Sequence, residues 1–265
     1  MFLSNELSTL SRAFVVSNIS QRTVDCRGCW LTRKKVGTVS GAPCFLRKVK
    51  SFFSDRPVEG PFPGRFGKWY LTERDVTEIG CYRGSLVVSS LCLLTCLVLG
   101  NLLPDSSHRF LDLSIWLSTL SLGVALQYIH IYAKVLKKAL QILWFVGVLG
   151  MLFVQLSSQS NELVLETVKH PNSLLFSGWT LIAFNGLLFK EAFCYRQYEA
   201  ILLTFMVPIL SFGHFLSLLS GETANIILFF ISLSYIYFAV RKFDSPLVND
   251  LGDKSIFEYL EKQNK

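Results

Sequence analysis

Six long apolar stretches constrain this chain more than any other feature of its sequence. They lie within 157 of its 265 residues, and most approach the roughly 20 residues that an α-helix needs to cross a hydrocarbon core about 30 Å thick. A soluble fold has no interior large enough to bury them all. The sequence therefore predicts an all-α fold, a polytopic bundle of about six transmembrane helices. The expected spans are residues 84–103, 111–133, 139–157, 174–189, 200–220 and 223–240.

The fourth stretch, residues 174–189, is the shortest of the six. Its 16 residues reach only about 24 Å at ~1.5 Å per residue. It can cross a bilayer only if Lys190 and Glu191, which follow it directly, lie at the interface with their charged groups in water. We therefore expect both side chains to be hydrated.

The basic charge of the chain is concentrated at one end. The formal net charge is +7, hydrophobic residues make up 51% of the chain and the mean hydropathy is +0.42. Residues 1–52 hold nine Lys and Arg against two acids, whereas the remainder holds 17 of each sign. Phosphate-backbone binding needs a persistent basic face. The neutral remainder excludes nucleic acid as a partner and leaves the lipid bilayer.

The first 52 residues have the composition of a plastid-type transit peptide, and we expect them to be disordered. They are rich in Arg, Lys, Ser and Thr and poor in acids, and their longest apolar run is only residues 13–16. A secretory signal would need an apolar run of roughly 7–15 residues. Cys26 and Cys29 have the spacing of a redox or zinc pair, but the chain has no second such pair to complete a zinc site.

The segment between the transit peptide and the first span divides into two parts. Residues 53–68 are predicted to be a linker, because Pro and Gly recur there in a density that no helix or central strand tolerates. Residues 69–83 are predicted to form a short amphipathic helix on the membrane surface, with Thr72 and Asp75 as its capping pair. The six-span membrane domain is then residues 69–242.

A C-terminal tail, residues 243–265, follows the last span. Ser255 and Glu258 have capping-box spacing, and an apolar edge follows. The segment could form a short helix that docks on the bundle or the lipid surface, or it could fray.

Basic residues near the span ends predict the orientation of the bundle. With six spans, both ends of the membrane domain share one side, and in a plastid that side would be the stroma. It collects Arg65, Lys68, Arg74, Arg83, Lys134, Lys137, Lys138, Lys190, Arg196, Arg241, Lys242 and Lys254. The other side collects Arg109 and Lys169.

Several short motifs carry a resemblance to a known family. They are Thr72-Glu73-Arg74-Asp75, Tyr82-Arg83-Gly84, Lys190-Glu191-Ala192-Phe193-Cys194, Glu199, Leu203-Thr204, Val207-Pro208 and Gly213-His214. Over residues 68–245 the chain resembles an uncharacterised integral membrane protein family of cyanobacteria and plastids (domain of unknown function 2301). The resemblance implies a membrane protein of a photosynthetic organism. It implies no activity.

The hairpin between the fourth and fifth spans is the strongest candidate for a functional site. Ionisable groups at membrane depth are costly and usually paired, and they commonly mark function. The adjacent Lys190 and Glu191 are expected to point apart on their helix. Interface anchoring by Lys190 and pairing of Glu191 with another helix is the structural alternative. The candidate polar cluster is Asn185, Lys190, Glu191, Cys194, Arg196, Glu199 and His214.

His214 lies inside the fifth span, six residues after Pro208. A proline there frees a carbonyl and bends the helix, which could open a cavity for proton relay, pigment or metal at the histidine. A hydrogen bond to a neighbouring helix is the simpler interpretation. A haem pair of His130 and His214 is excluded by their different depths. No ligand spacing ties His108, His170, His214 and Glu222 into a metal site, so no metal is predicted and no cofactor is assigned.

Other polar and small residues in the spans are interpreted as structural. Gln127 and Gln155 are placed to bridge helices by hydrogen bonds. Gly147 and Gly150 are three residues apart and so lack the spacing of a GxxxG motif.

Three functions remain open. The first is a non-catalytic factor that assembles or stabilises a photosynthetic membrane complex, with subunits of that complex as partners. The second is a small proton- or ion-coupled transporter or channel that uses Glu191 and His214. The third is an intramembrane protein that binds a cofactor, pigment or lipid. No catalytic motif supports an enzyme class, and the sequence favours the first function.

Overall fold

The computed structural model describes residues 56–102, 108–158 and 162–263. The predicted transit segment, with Cys26 and Cys29, lies outside the described residues. The strands are β1 (Pro57–Gly64) and β2 (Gly67–Thr72). The helices are α1 (Glu73–Leu102), α2 (His108–Tyr128), α3 (Lys134–Ser157), α4 (Leu163–Lys169), α5 (Leu174–Ser177), α6 (Trp179–Tyr195), α7 (Tyr198–Phe215), α8 (Gly221–Arg241), α9 (Leu247–Leu251) and α10 (Lys254–Gln263). Short 3₁₀ turns cover Pro171–Ser173 and Lys242–Asp244.

The predicted membrane helical bundle is confirmed. Five of the described helices, α1, α2, α3, α7 and α8, are long and apolar enough to cross a membrane. The fourth span is broken, because Pro171–Ser177 and α6 meet at an angle of 65°. The described part of the chain therefore offers five crossings, or six if the bent pair counts as one.

Contacts between the two ends of the membrane domain indicate six crossings. Before α1, the backbone N–H of Arg65 donates to Asp253 Oδ2 at 2.7 Å, and the ring of Phe66 stacks on Tyr259 of α10 at 4.0 Å. The chain therefore enters and leaves the bundle at the same face, which requires an even number of crossings. We call residues 56–72 and 242–263 the cap, the face that carries them the cap face, and the opposite face the far face.

The predicted linker at residues 53–68 is wrong where the structure describes it. Residues 57–64 form β1, which pairs antiparallel with β2, from Pro57 opposite Thr72 to Gly64 opposite Gly67. Pro and Gly are excluded from central strands but tolerated at sheet edges. A two-stranded hairpin consists of edges alone, so this composition is compatible with strands.

The predicted surface helix at residues 69–83 is also wrong. Residues 69–72 belong to β2, and α1 then runs without a break into the first span. Its capping pair is confirmed, since the Thr72 N–H donates to Asp75 Oδ2 at 2.9 Å and the Asp75 N–H donates to Thr72 Oγ1 at 3.4 Å. The apolar face of the first three turns of α1 is covered by protein instead of lipid, with Ile79 and Tyr82 buried.

Close backbone approach joins α3 to the broken fourth span. A Cβ on Gly147 would lie 2.4 Å from the backbone nitrogen of Thr180, and a Cβ on Gly150 would lie 1.9 Å from the carbonyl oxygen of Phe176. Small residues allow helix backbones to meet in this way in membranes. The two glycines thus form the packing surface of α3 despite their unconventional spacing.

Interhelical hydrogen bonds tie the other spans together. Gln127 accepts from Gln141 at 3.0 Å and Gln155 accepts from the indole N–H of Trp116 at 2.9 Å, which confirms both predicted bridges. On the α1–α2 contact, Ser121 donates to the carbonyl of Ser85 at 2.7 Å. These bonds satisfy polar groups that lipid could not.

The C-terminal tail forms a docked helix. Its cap is Asp253, because Asp253 Oδ1 accepts from the N–H of Ser255 at 3.0 Å and from its hydroxyl at 2.6 Å. The expected start at Ser255 is thus off by two residues. The helix packs on the β-hairpin and on Tyr132, whose ring lies 4.7 Å from that of Phe257.

Replacing Gly150 by Ala will destabilise the bundle by about 1–3 kcal/mol, because the methyl group collides with backbone that cannot move aside. Gly80→Ala is the matched control in α1, where a Cβ meets nothing within 4 Å; it will be neutral or slightly stabilising. Unfolding in an SDS titration measures both. Equal stability of the two variants would contradict the close approach.

Impermeant maleimide will label Val135→Cys and Val168→Cys from opposite sides of the membrane in a background with the native cysteines replaced by Ser. Both side chains are exposed, at 81% and 62%. An odd number of crossings separates α3's start from α4. Labelling of both positions from one side would show that a crossing is missing or added.

Candidate functional site

The last two turns of α6 bring Lys190 and Glu191 to the cap face, where both are buried. Lys190 is 6% exposed and Glu191 is 0% exposed, so the expectation that both reach water is wrong. The expectation that they point apart is also wrong, because Lys190 Nζ lies 2.9 Å from Glu191 Oε1. The flexible lysine stem turns back to its neighbour, since the cap covers the route to water.

Glu191 joins three segments of the bundle. The hydroxyl of Tyr82 in α1 donates to its Oε1 at 2.7 Å, and the ammonium of Lys242, just after α8, pairs with its Oε2. Both carboxylate oxygens therefore lie beside a partner group. Pairing of Glu191 with another helix, the structural alternative in the sequence, is confirmed.

Asp250 forms the second acidic centre, on α9 of the cap. Its Oδ2 accepts from Arg83 Nε at 2.5 Å and its Oδ1 pairs with Lys242. The hydroxyl of Tyr195 donates to the backbone carbonyl of Asp250 at 3.2 Å. Arg83 also donates to the carbonyl of Ser245 at 3.0 Å. Lys242 therefore bridges the carboxylates of Glu191 and Asp250.

Two tyrosine rings enclose the ammonium groups. Lys190 Nζ lies 4.5 Å from the ring centroid of Tyr195, and Lys242 Nζ lies 5.0 Å from it. The same ammonium groups lie 5.8 and 5.5 Å from the ring centroid of Tyr82. These distances permit cation–π attraction. We call Tyr82, Arg83, Lys190, Glu191, Tyr195, Lys242 and Asp250 the ionic cluster.

The ionic cluster carries an unequal number of charges. Its cations are Arg83, Lys190 and Lys242, and its anions are Glu191 and Asp250, which leaves one positive charge in excess. Arg83 and Lys190 each share their carboxylate partner with Lys242. Arg83 also donates to the carbonyl oxygens of Ser245 and Pro246.

The other predicted site residues are spread apart. Asn185 is half-buried, deeper in α6, and Cys194 and Arg196 are exposed near its end. Glu199 pairs with Arg241 of α8. Among the described contacts, only Lys190 and Glu191 of the predicted polar cluster come together.

His214 lies at the far face and not in the ionic cluster. Its Nε2 lies 3.0 Å from the carbonyl oxygen of Thr167 in α4, which agrees with the simpler interpretation of a hydrogen bond to a neighbouring helix. Pro208 lies inside α7. His130 contacts Glu78 at 3.3 Å at the cap face. In the part of the chain that the structure describes, no three His, Cys, Asp or Glu residues converge as metal ligands do.

Sequence reasoning missed several residues that organise the two faces. Asp250 lay in a tail with no assigned role, Lys242 entered only as a topological charge, and Arg83 entered as a topological charge and as part of a motif of the resemblance. At the far face, buried Asp112 accepts from the backbone N–H groups of Leu163 and Val164 at 3.0 and 2.9 Å and so caps α4. Asp112 could have been recognised from the sequence, because it is an acid inside the predicted apolar span 111–133.

Comparison with known proteins places the chain in a family. The sequence model of the family described as "Uncharacterized integral membrane protein (DUF2301)" matches residues 124–259, slightly more than half of the chain. The chain belongs to this family. The DUF2301 match begins near the end of α2 and extends into α10, so it includes Lys190, Glu191, Lys242 and Asp250. No curated protein and no solved structure matches the chain.

Glu191→Gln will destabilise this DUF2301 protein by about 3–5 kcal/mol, because it leaves Lys190 and Lys242 buried beside a neutral group. Glu199→Gln is the matched control at the same face. Its partner Arg241 is half exposed, so its loss will cost at most ~1 kcal/mol. Unfolding in SDS measures both variants. Adding Lys190→Met to Glu191→Gln should restore part of the loss; no restoration would contradict the charge argument.

The contact of α10 with the hairpin will weaken in acid. Burial raises the pKa of Asp253, but hydrogen bonds from the Ser255 hydroxyl and from the N–H groups of Arg65 and Ser255 outweigh it and lower that pKa. A lowered carboxyl pKa contributes stability above the unfolded pKa of about 3.9, which is lost as pH falls through the folded pKa. Amide-exchange protection factors of Arg65 and Ser255 will fall below about pH 4. Asp253→Asn should show low protection at every pH; a persistent acid transition in it would contradict the assignment.

Proposed function

We propose that this DUF2301 protein is a non-catalytic membrane factor that assembles or stabilises a photosynthetic membrane complex. Its place would be a plastid membrane, the thylakoid or the inner envelope, with the cap in the stroma. The transit-like composition of residues 1–52 and the excess of basic residues at the cap face support this location.

The observation that carries the proposal is that both carboxylates of the ionic cluster are buried and paired with cations. Glu191 and Asp250 are each held by two cations and are 0% and 3% exposed. Carboxylates fixed in this way are poorly suited to carry a proton or to attack a substrate. Their contacts instead fasten the cap to the bundle, which is a structural task.

The outer surface of the cap supports a docking role. Tyr70 and Phe66 are 48% and 49% exposed, and Phe66 is held in place by its stack on Tyr259. Exposed aromatic side chains on a rigid support are typical of protein contact sites. The hairpin and α10 together would present them to a partner in the aqueous compartment.

Purification from the native membrane in mild detergent tests the proposal. Subunits of a photosynthetic complex will co-purify with the protein, and Tyr70→Glu will reduce their recovery at least about tenfold, as expected for an aromatic contact residue. Val168→Glu, at an exposed position of the far face, is the control and will leave recovery unchanged.

The assembly function and the transporter alternative make opposite predictions about ion flux. If the protein is an assembly factor, Glu191→Gln and His214→Phe will change its abundance but leave ion flux in liposomes unaltered. A pH-dependent flux that either substitution abolishes would overturn the assembly function, and a chromophore bound to the purified protein would favour cofactor binding.

A further inference from the structure

The β-hairpin of the cap has two unlike faces. On β2, Trp69 and Leu71 are 4% and 1% exposed, and they pack with Ile79 of α1 on the inner face. Lys68 and Tyr70 alternate with them and are exposed on the outer face. In the described part of the chain this outer face stays uncovered, since Tyr70 is 48% exposed.

The tip of the hairpin continues this exposed surface. The backbone N–H of Arg65 donates to Asp253 Oδ2 at 2.7 Å, and that of Phe66 donates to Ser255 Oγ at 3.1 Å. The backbone of the tip is therefore fixed to the C-terminal segment, while the side chains of Arg65 and Phe66 are exposed. We call Arg65, Phe66, Lys68 and Tyr70 the outer patch.

The outer patch carries two positive charges and no negative charge. Among the described side chains, no carboxylate lies within ion-pair distance of Arg65 or Lys68. Residues 57–72 contain one acid, Glu59, which stands opposite Leu71 in the strand register. Directly opposed residues share a face of the sheet, and Leu71 points inward, so Glu59 does not neutralise the outer face.

α1 lifts the hairpin away from the hydrocarbon core. The last charged side chain of α1 is Arg83, and residues Gly84 to Leu102 are uncharged, so the core begins close to Arg83. α1 itself begins ten residues earlier, at Glu73, which corresponds to about 15 Å at ~1.5 Å per residue. The headgroup layer is only about 5–8 Å thick on each side. The end of β2 that carries Tyr70 is therefore in water, which favours a protein over a lipid surface as its partner.

We propose that the outer patch binds an acidic segment of a partner protein in the aqueous compartment. Arg65 and Lys68 supply the complementary charge, which steers association and selects the partner. Phe66 and Tyr70 supply aromatic contact area of the kind that is enriched in protein interfaces. The inference rests on the proposed function, which requires a partner at the cap, and it adds the chemistry of that partner.

Photo-cross-linking of the full chain in its native membrane tests the proposal. Benzoylphenylalanine in place of Tyr70 keeps an aromatic side chain in the outer patch, and mass spectrometry after illumination identifies the attached molecule. We expect a protein segment outside any membrane span, in which Asp and Glu outnumber Lys and Arg. A lipid adduct, a neutral or basic segment, or the absence of an adduct would overturn the proposal.

Charge variants at position 68 separate electrostatic docking from contact with the aromatic side chains alone. In the cross-linking background, Lys68→Glu will lower the yield of the acidic adduct at least about fivefold, because it opposes like charges. Lys68→Arg will preserve the yield. Lys134→Glu is the matched control, since it makes the same charge change at an exposed position of the cap face outside the outer patch. Equal yields from Lys68→Glu and Lys134→Glu would overturn the proposal.

Arg65→Gln keeps the proposal testable if Lys68→Glu does not fold. Only the backbone N–H of Arg65 contacts Asp253, so loss of the guanidinium group leaves that contact in place. The variant will lower the yield of the acidic adduct about two- to fivefold, as expected for one exposed ion pair. An unchanged yield would overturn the proposal.

The identity of the cross-linked protein separates this proposal from the proposed function. An acidic segment from a protein outside any photosynthetic complex would support the acidic docking site and contradict the assembly function. A neutral or basic segment of a photosynthetic subunit would support the assembly function and overturn the acidic docking site.

Discussion

The rest of this structure depends on the ion pairs that the Lys242 ammonium group makes with Glu191 and Asp250. Because Lys242 directly follows the last span, these pairs join the end of that span to Glu191 in α6 and to Asp250 in the cap. Burying these charges carries a large desolvation cost, which only their mutual proximity offsets. The cap and the bundle must therefore fold together, since each completes the counter-ions of the other.

Different contacts stabilise the segments that lie at the two faces of the bundle. At the cap face, the ionic cluster and the apolar contacts of Trp69, Leu71, Ile79 and Leu251 fix the hairpin and the C-terminal segment. At the far face, Asp112 caps α4 and His214 contacts its backbone. Both faces use ionisable side chains to satisfy groups that lipid cannot. This arrangement accounts for the buried charged residues of this integral membrane protein.

Local sequence signals were reliable where one segment alone decides the outcome. The spans and the capping pair of Thr72 and Asp75 followed from hydrophobicity and residue type within one segment. The linker and the surface helix were wrong, because strand pairing across residues 57–72 and burial of Ile79 depend on distant partners. Only Lys190 and Glu191 of the seven ionic-cluster residues were recognised as site residues, because the others come from distant parts of the chain; Asp250 lies 59 residues from Glu191.

The sequence by itself determined that this chain is a membrane-embedded helical bundle, because the hydrophobic effect acts on each apolar stretch independently of the others. It also indicated that Lys190 and Glu191 matter, since ionisable groups at membrane depth are costly and commonly mark function. Only the tertiary structure decided that their charges are buried and paired. The stability of a buried ion depends on which groups surround it, and those groups come from α1, α6 and the cap, which adjoin only in the folded protein.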